Sequence, residues 1–360
     1  MGNEHTEYIE EVEVPVEAIQ AVDPAVAEKL PPGIQIEGIS EHGASFWTRT
    51  ARLDTTLDGV MKSFFLKCHT SYYATLKIST TSFGERGRKM MSGEYHCMNK
   101  IHAVVPDLVP ETIAWGSYSD IPDVHFFLAE FRPMTDELPD VEVFPARMAE
   151  LHRTATSPDG KFGFDFTTFH GNTPIEHGWS DTWEDYFTRT TKVLLELEQE
   201  AQGPNEEIRG LMVPFFGKVV PRLLRPLETG GRSIQPSLIH GDLWDGNASM
   251  DSETEMPIIF DAASFYAHNE YELGVWRQPW NKIKKPYRMR YHKHFPKSQP
   301  EEDYDDRNVL YATRVNILDS ILYKGDPSYR EMLINGMKGL VDKFPGGLEE
   351  WEGAQTSRSY

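Results

Sequence analysis

Hydrophobic and polar positions change period once along this chain. Residues 1–33 read as an acidic arm with one short helix-like stretch, Pro24 to Leu30, stopped by Pro31-Pro32-Gly33. From Ile34 the pattern turns strand-like: IQIEGISEHGASFWTRTARLDT predicts a strand, a turn at Glu41 to Ser45, and a return from Phe46 to Leu53. Ser63 to Cys68 predicts a third strand. Arg88 to Ala103, with Met90, Met91, Tyr95, Met98 and Ile101 near helical spacing, predicts a helix. ETIAWGSYS and VHFFLAEFRPM predict two more strands, the second with a buried stretch at Phe126 to Ala129 and Pro133 as terminator. Beyond them the spacing is helical: Val143 to Thr154, Trp183 to Glu198 behind a cap region at Ser180-Asp181, then 270–280, 305–323 and Ser328 to Phe344, with 346–360 expected to fray. Strands gathered first and helices after predict an α+β chain with room for two lobes.

Between two short apolar runs, polar side chains stand at fixed spacings in IQPSLIHGDLWDGNASMDSETEMPIIFDAASFY, residues 234–266. Leu238-Ile239 leads into His240-Gly241-Asp242, and Asn247 follows Asp242 by five residues, the interval of the protein-kinase catalytic loop. The second run, Pro257 to Phe260, delivers Asp261. If the two segments pair as a hairpin turning within Met250 to Glu255, three oxygen-bearing side chains converge. Asp242 would then receive a hydroxyl proton, with Asn247 and Asp261 as hard oxygen ligands of a divalent cation that bridges phosphates. A plainer reading is an acidic hairpin with turn residues, and Asp245-Gly246 is a turn sequence by itself.

The strand-rich part offers parts for a nucleotide. Gly43, Ala44 and Ser45 would let backbone N–H groups approach phosphate oxygens, or would simply form a hairpin turn. Lys67 ends an apolar strand, where a phosphate-binding lysine is needed, and Lys77 in YATLKIST competes with it. Lys67 is preferred because its run is more apolar; residues 68–88, with Gly84 and Gly87, then form an inserted loop or hairpin. Glu94 on the following helix could hold that lysine. Backbone groups at Glu130, Phe131 and Arg132 occupy the place of a hinge that could hydrogen-bond an adenine.

Composition narrows the classes. At 360 residues and 39% hydrophobic content the chain can fill more than one core, and its net charge of −20 disfavours general polyanion binding. The basic run 282–297 carries seven Lys/Arg, but an acidic run at Glu301 to Asp306 follows, so nucleic acid ranks below a structural or docking role. Two cysteines, Cys68 and Cys97, suit a reducing compartment, and the first residues lack an apolar leader, so a cytoplasmic protein is expected. No stretch is apolar enough for a membrane span. Gly2 and Thr6 match a myristoylation pattern short enough to recur by chance.

Taken together, GISEHGASFW, FFLK, the helix with GEY, FFLAEF, ELHRTATSPDGKFGF, GWSDTWEDYFTRT, LIHGDLWDGN and IIFDAASFYAHNEYELG resemble the fructosamine kinase family, in particular its fungal protein-ribulosamine/ketosamine 3-kinases. The resemblance spans roughly Ile34 to Phe344 and implies a bilobal protein-kinase-like fold: an N-lobe at 34–131 after the arm, a helical C-lobe at 132–346, and a tail from 347. It also implies ATP with magnesium, and phosphorylation of the sugar 3-hydroxyl of ketosamines on lysines. By the same resemblance Asp242 is the catalytic Asp, Asn247 and Asp261 hold metal, Lys67 binds phosphate, and Glu94 is its partner. Trp244 would line the sugar pocket, and Trp179 and Trp183 would pack. Ala262 stands where the family commonly has Pro.

Glycated proteins or free ketosamines are the expected substrates of a monomer, ribulosamine before fructosamine. The 282–297 segment should lie away from the pocket mouth or pair with 301–306. Two alternatives stay open: another small-molecule kinase of this fold, for an aminoglycoside, choline or a sugar, and a non-catalytic scaffold.

Overall fold

Alternation along β3 (Val60–Thr70) sets the architecture of the first lobe. Phe64, Leu66 and Cys68 are fully buried on one face, and Lys67 points to the other. A computed structural model describes residues 14–43, 45, 47–70 and 85–358. Here α1 (Pro24–Ala27) precedes β1 (Gln35–Glu41) and β2 (Arg49–Leu57), and β2 reaches β3 through Asp58-Gly59. Both turn residues have positive φ, 51° and 78°, the backbone of a tight hairpin whose twist suits its strands. Then come α2 (Arg86–His102), β4 (Thr112–Ser117) and β5 (Val124–Glu130), completing an antiparallel sheet of order β1-β2-β3-β5-β4. The described ends of the 68–88 segment belong to β3 and α2. Ala44, Lys77 and Gly84 lie outside the described residues.

This sheet is covered on both faces. α2 packs on one side through Met91, Cys97, Met98 and Ile101. On the other, Val14, Ala18, Ile19, Val26 and Leu30 cluster with Leu53, Phe64, Leu66, Phe126 and Leu128. The described part of the expected N-terminal arm is therefore a layer of the lobe. Asp23 fixes it: its carboxylate caps α1 by accepting from Ala25 N and also accepts from Ser119 N and Asp120 N, at 2.8–2.9 Å. Apolar residues thinly spaced among acids conceal this layer in the sequence; the bare sheet face requires it.

The second lobe begins with α3 (Val143–Thr154), on the bounds its spacing predicts. Short strands β6 (Phe162–Phe164), β7 (Thr168–His170), β8 (Thr173–Ile175) and β9 (Gly178–Ser180) lead to α4 (Trp183–Gln202), capped by Thr182. After α5 (Glu206–Pro214) and α6 (Val220–Leu224) come β10 (Ser237–Ile239), β11 (Ala248–Met250), β12 (Pro257–Ile259) and β13 (Phe265–Ala267). The expected hairpin exists with its turn at 251–256, but β12 pairs with β11; Leu238 and Ile239 of β10 pair with Tyr266 and Phe265 instead. Two short apolar runs do not choose partners by themselves, and here a four-stranded sheet, β10-β13-β6-β9, claims the first.

A 3₁₀ segment (Asn269–Arg277), α7 (Lys285–His294), the buried α8 (Tyr304–Leu322), α9 (Pro327–Lys343) and α10 (Gly347–Arg358) complete the lobe. The tail expected to fray is thus helical. Its Trp351 lies under the Arg222 guanidinium, 5.1 Å from ring centroid to Cζ, and Arg222 forms a two-pronged buried pair with Asp303. Among the described residues no helix is long and apolar enough to cross a membrane.

Asp23→Ala is expected to destabilise the protein by roughly 2–3 kcal/mol, since three amide donors lose an ionised acceptor in a buried layer. Urea unfolding monitored on the first lobe checks this; an unchanged midpoint would show that the N-terminal layer is not integral.

Candidate active site

The loop after β10 is shaped by a glycine and a buried acid. Gly241 has φ +87°, and a Cβ there would fall 2.3 Å from Ala263 O, so both conformation and space demand glycine. The Glu272 carboxylate, from the 3₁₀ segment, accepts from His240 N at 2.5 Å and Gly241 N at 3.1 Å. His240 Nε2 donates to Phe260 O at 2.9 Å, because a carbonyl can only accept; Nδ1 is thereby left to accept from Asp242 N at 3.3 Å. Ala263 N returns a bond to His240 O at 2.9 Å, and Trp276 Nε1 donates to Leu243 O at 2.9 Å. These bonds strap the loop to the end of β12.

Asp242 and Asn247 meet on this frame. Asn247 Nδ2 donates to Asp242 O at 2.8 Å and Oδ2 at 3.2 Å, which fixes the carboxylate and turns the Asn247 oxygen away from it. His170, from β7, brings Nδ1 to 3.2 Å from Asp242 Oδ1, without the alignment of a hydrogen bond. Asp261 leaves β12 with φ 59°, a left-handed conformation uncommon outside glycine but tolerated by Asp better than by most side chains, and held here by the flanking bonds at Phe260 and Ala263.

Lys67 reaches this point across the lobes. Its Nζ lies 2.9 Å from Glu94 Oε2 and 2.9 Å from Asp261 Oδ1. Burial disfavours the ammonium, but the two carboxylates outweigh it and hold its pKa above the usual lysine range. Two acids share one cation, so they differ. Burial pushes Glu94 up to about 7 against the pull of Lys67, whereas Asp261, 42% exposed, has its own burial offset by Lys67 and is held below the carboxylate range. A second tie joins α2 to the same segment: Ser264 N donates to Cys97 Sγ at 3.2 Å.

Other sequence candidates distribute unevenly. Gly43 (φ +82°) lies in the β1–β2 turn, where Ser45 Oγ accepts from Thr48 N and Thr48 Oγ1, so that side chain stabilises the turn itself. At the expected hinge, Glu130 N donates to Glu111 O and Phe131 N to Ser63 O. These two amides are engaged with carbonyls of the sheet and its edge. Arg132 binds Asp251 in the β11–β12 turn at 2.5 Å and so joins the lobes. Trp244 is 37% exposed, its ring 6.0 Å from that of Trp280 and directly over Gly246, where a Cβ would lie 2.3 Å from the indole. Trp183 is buried, as packing requires, while Trp179 is half-exposed and donates to Asp165. The basic segment starts at this loop, Lys282 pairing with Asp245 at 3.0 Å, and ends with Lys297 near Glu301 at 3.4 Å.

Glu272 and His170 gained no role from spacing. Glu272 stands inside the YAHNEYELG stretch, a usable signal; His170 has none. The donor set suits magnesium with phosphates: one carboxylate and one amide oxygen are few for a protein-only cage, and among the described residues no cluster of three or more His, Cys, Asp or Glu forms one.

The fold is of the bilobal, kinase-like class: the chain superposes on a candidate fructosamine-3-kinase of Thermobifida fusca with a TM-score of 0.66 at 18% identity, covering 89% of this chain and 100% of that one. An aminoglycoside phosphotransferase, APH(4)-Ia, gives 0.54 at 13% over 86% of this chain and 94% of its own. The family profile described as fructosamine kinase matches residues 54–324, and the chain belongs to that family. Mouse ketosamine-3-kinase is 37% identical over 116 residues, 32% of this chain and 35% of that protein. A rice (indica) chloroplastic protein-ribulosamine 3-kinase is 29% identical over 198 residues, 53% of each chain. The matches thus span about a third to a half of these relatives' lengths.

Lys67→Met should destabilise the protein by roughly 3–5 kcal/mol, because it leaves two facing carboxylates without their cation. Adding Glu94→Gln should recover part of the loss in chemical denaturation; strictly additive losses would refute the shared-cation account.

Proposed function

We propose that this protein is an ATP- and magnesium-dependent kinase acting on the sugar 3-hydroxyl of ketosamine adducts of lysine, with ribulosamine preferred to fructosamine. The observation that carries the reading is the convergence of Asp242, Asn247 and Asp261 with the Lys67–Glu94 pair between the lobes of a fructosamine kinase family chain. Asp242 orients the attacking hydroxyl and takes its proton, in a carboxylate geometry held by Asn247. Asn247 Oδ1 and the Asp261 carboxylate would hold the cation, and Lys67, positioned by Glu94, would bind the phosphates. Magnesium, when bound, would supply neutralisation of the phosphate charge. The backbone of Gly43 and Ser45 would lie over the phosphates, and the Arg132 amide, which no backbone carbonyl among the described residues accepts, is left for the adenine edge beside Glu130 and Phe131.

Trp244 covers the sugar. Its exposed edge is compatible with a polypeptide behind the adduct, so glycated proteins as well as free ketosamines are substrates of a monomeric enzyme. A pentose adduct lacks one hydroxymethyl unit and so demands less room beside Trp244, which is the ground for the ribulosamine preference. Both cysteines are free and buried, in keeping with a reducing, cytoplasmic setting.

The test is magnesium-dependent ATP consumption with ribuloselysine, fructoselysine and both adducts on a small protein. Higher kcat/KM for ribulosamine is expected, and Asp242→Asn should lower kcat by about 10²–10⁴-fold with ATP binding retained. No turnover with any ketosamine would sink the reading. Gly246→Ala, which must displace the Trp244 ring, is expected to raise the acceptor KM about tenfold with little change in the KM for ATP, as steady-state kinetics on each substrate would show.

A further inference from the structure

We propose that Asp319 is the counter-ion of the acceptor site: its carboxylate receives the protonated amine that a ketosamine carries beside the reacting hydroxyl. The inference rests on the kinase reading above. Asp319 lies in α8, 3% exposed, and its Oδ2 has no hydrogen-bond partner among the described residues. Trp280 Nε1 faces the carboxylate closely enough to favour its charged form, though the pair lacks the alignment of a full hydrogen bond. Asn316 Oδ1, one helical turn earlier, is also buried with no hydrogen-bond partner among the described residues. Positions 316 and 319 lie on one stripe of the helix, and Tyr323 follows at its C-cap. That part of α8 borders the site, since a Cβ on Gly171 would lie 2.9 Å from Leu322 Cδ1, and the adjacent His170 is 3.2 Å from Asp242. From the other side Trp280 meets Trp244.

Among the described residues the packing offers this acid the Trp280 N–H and no cation. Burial pushes the Asp319 carboxyl well above the usual range, and Asp242 adds repulsion of like charge. The nearby Tyr323 and Tyr329 hydroxyls, themselves pushed up by burial and by Asp319, supply no cation. A buried charge without a partner is disfavoured, so a cation entering between Asp319 and Asp242 turns repulsion into attraction for both. A ketosamine brings such a cation. Its nitrogen sits on C1, a few bonds from the 3-hydroxyl, and as a protonated secondary amine it has two N–H groups, matching Asp319 Oδ2 and Asn316 Oδ1. A free ketose has none, so this group would separate glycated amines from ordinary sugars.

The experiment compares kcat/KM for a ketosamine with that for the same sugar bearing a neutral amide nitrogen at C1, in wild type and Asp319→Asn. Wild type should favour the amine at least about tenfold; the variant should lose that preference through KM, with the amide acceptor and the KM for ATP unchanged. Its unfolding midpoint should equal or exceed the wild-type value, as removal of an unpaired buried acid predicts and a structural role does not. Equal losses on both acceptors, or an unchanged preference, would overturn the proposal. The wild-type ratio needs no variant, and a value near one is also fatal. Turnover of the amine acceptor with no effect of Asp319→Asn removes only the counter-ion; no turnover of any ketosamine by wild type removes the kinase reading and this inference together.

Discussion

The Lys67 ammonium ties the two lobes together at the site, beside the Arg132–Asp251 pair and the Ser264–Cys97 bond. Lys67 faces α2 only because β3 alternates, and a slip of one residue would place it in the apolar layer with Leu66 and Cys68. Glu94 then has to come from α2, and Asp261 from the end of β12 in the other lobe. Each of the three depends on the others: without Lys67 two carboxylates face each other, and without the carboxylates a buried ammonium has no partner. The bonds at Phe260, Ala263 and Ser264 fix the unusual Asp261 backbone, so the local conformation and the cross-lobe contact are set together.

What could be read in advance was local. Asp242 and Asn247 are legible because their spacing places an amide against a carboxylate within one turn of chain, and the two bonds from Asn247 Nδ2 are the outcome. Lys67 was distinguishable because a lysine ending an apolar run has a buried environment and needs a partner. α3 could be bounded to the residue since its apolar stripe stops where Ala155 turns extended.

Long-range choices were not legible. Leu238-Ile239 and Pro257–Phe260 are equally strand-like, and the partner of each is decided by which sheet lacks a neighbour, a property of the assembled lobe. The layer formed by residues 14–30 becomes obligatory only once a sheet face stands bare. Glu272, His170 and Asp319 are separated from Asp242 by 30, 72 and 77 positions, respectively, and no local period links them to it. Arg132 adds a long-range bond that spacing does not reveal: its side chain reaches Asp251 across the lobe junction.

The acid excess also needs separating into inside and outside. Glu270 is wholly buried against Arg307 at 2.9 Å and accepts from Ser298 N, which fixes the 3₁₀ segment and so aims Glu272 at the Gly241 loop two residues on. Glu198 is held by Arg330 and Ser320, and Asp303 by Arg222. The basic run 282–297 is likewise divided: Lys282 serves Asp245 beside Trp244, Arg290 pairs with Glu142, and Lys297 approaches Glu301. Charges already paired contribute little field at a distance of one Debye length, about 8–10 Å at physiological salt. Selection of a small cationic acceptor, as proposed above, would therefore act at contact range, where Asp319, whose buried Oδ2 has no partner among the described residues, matters more than the net charge of −20.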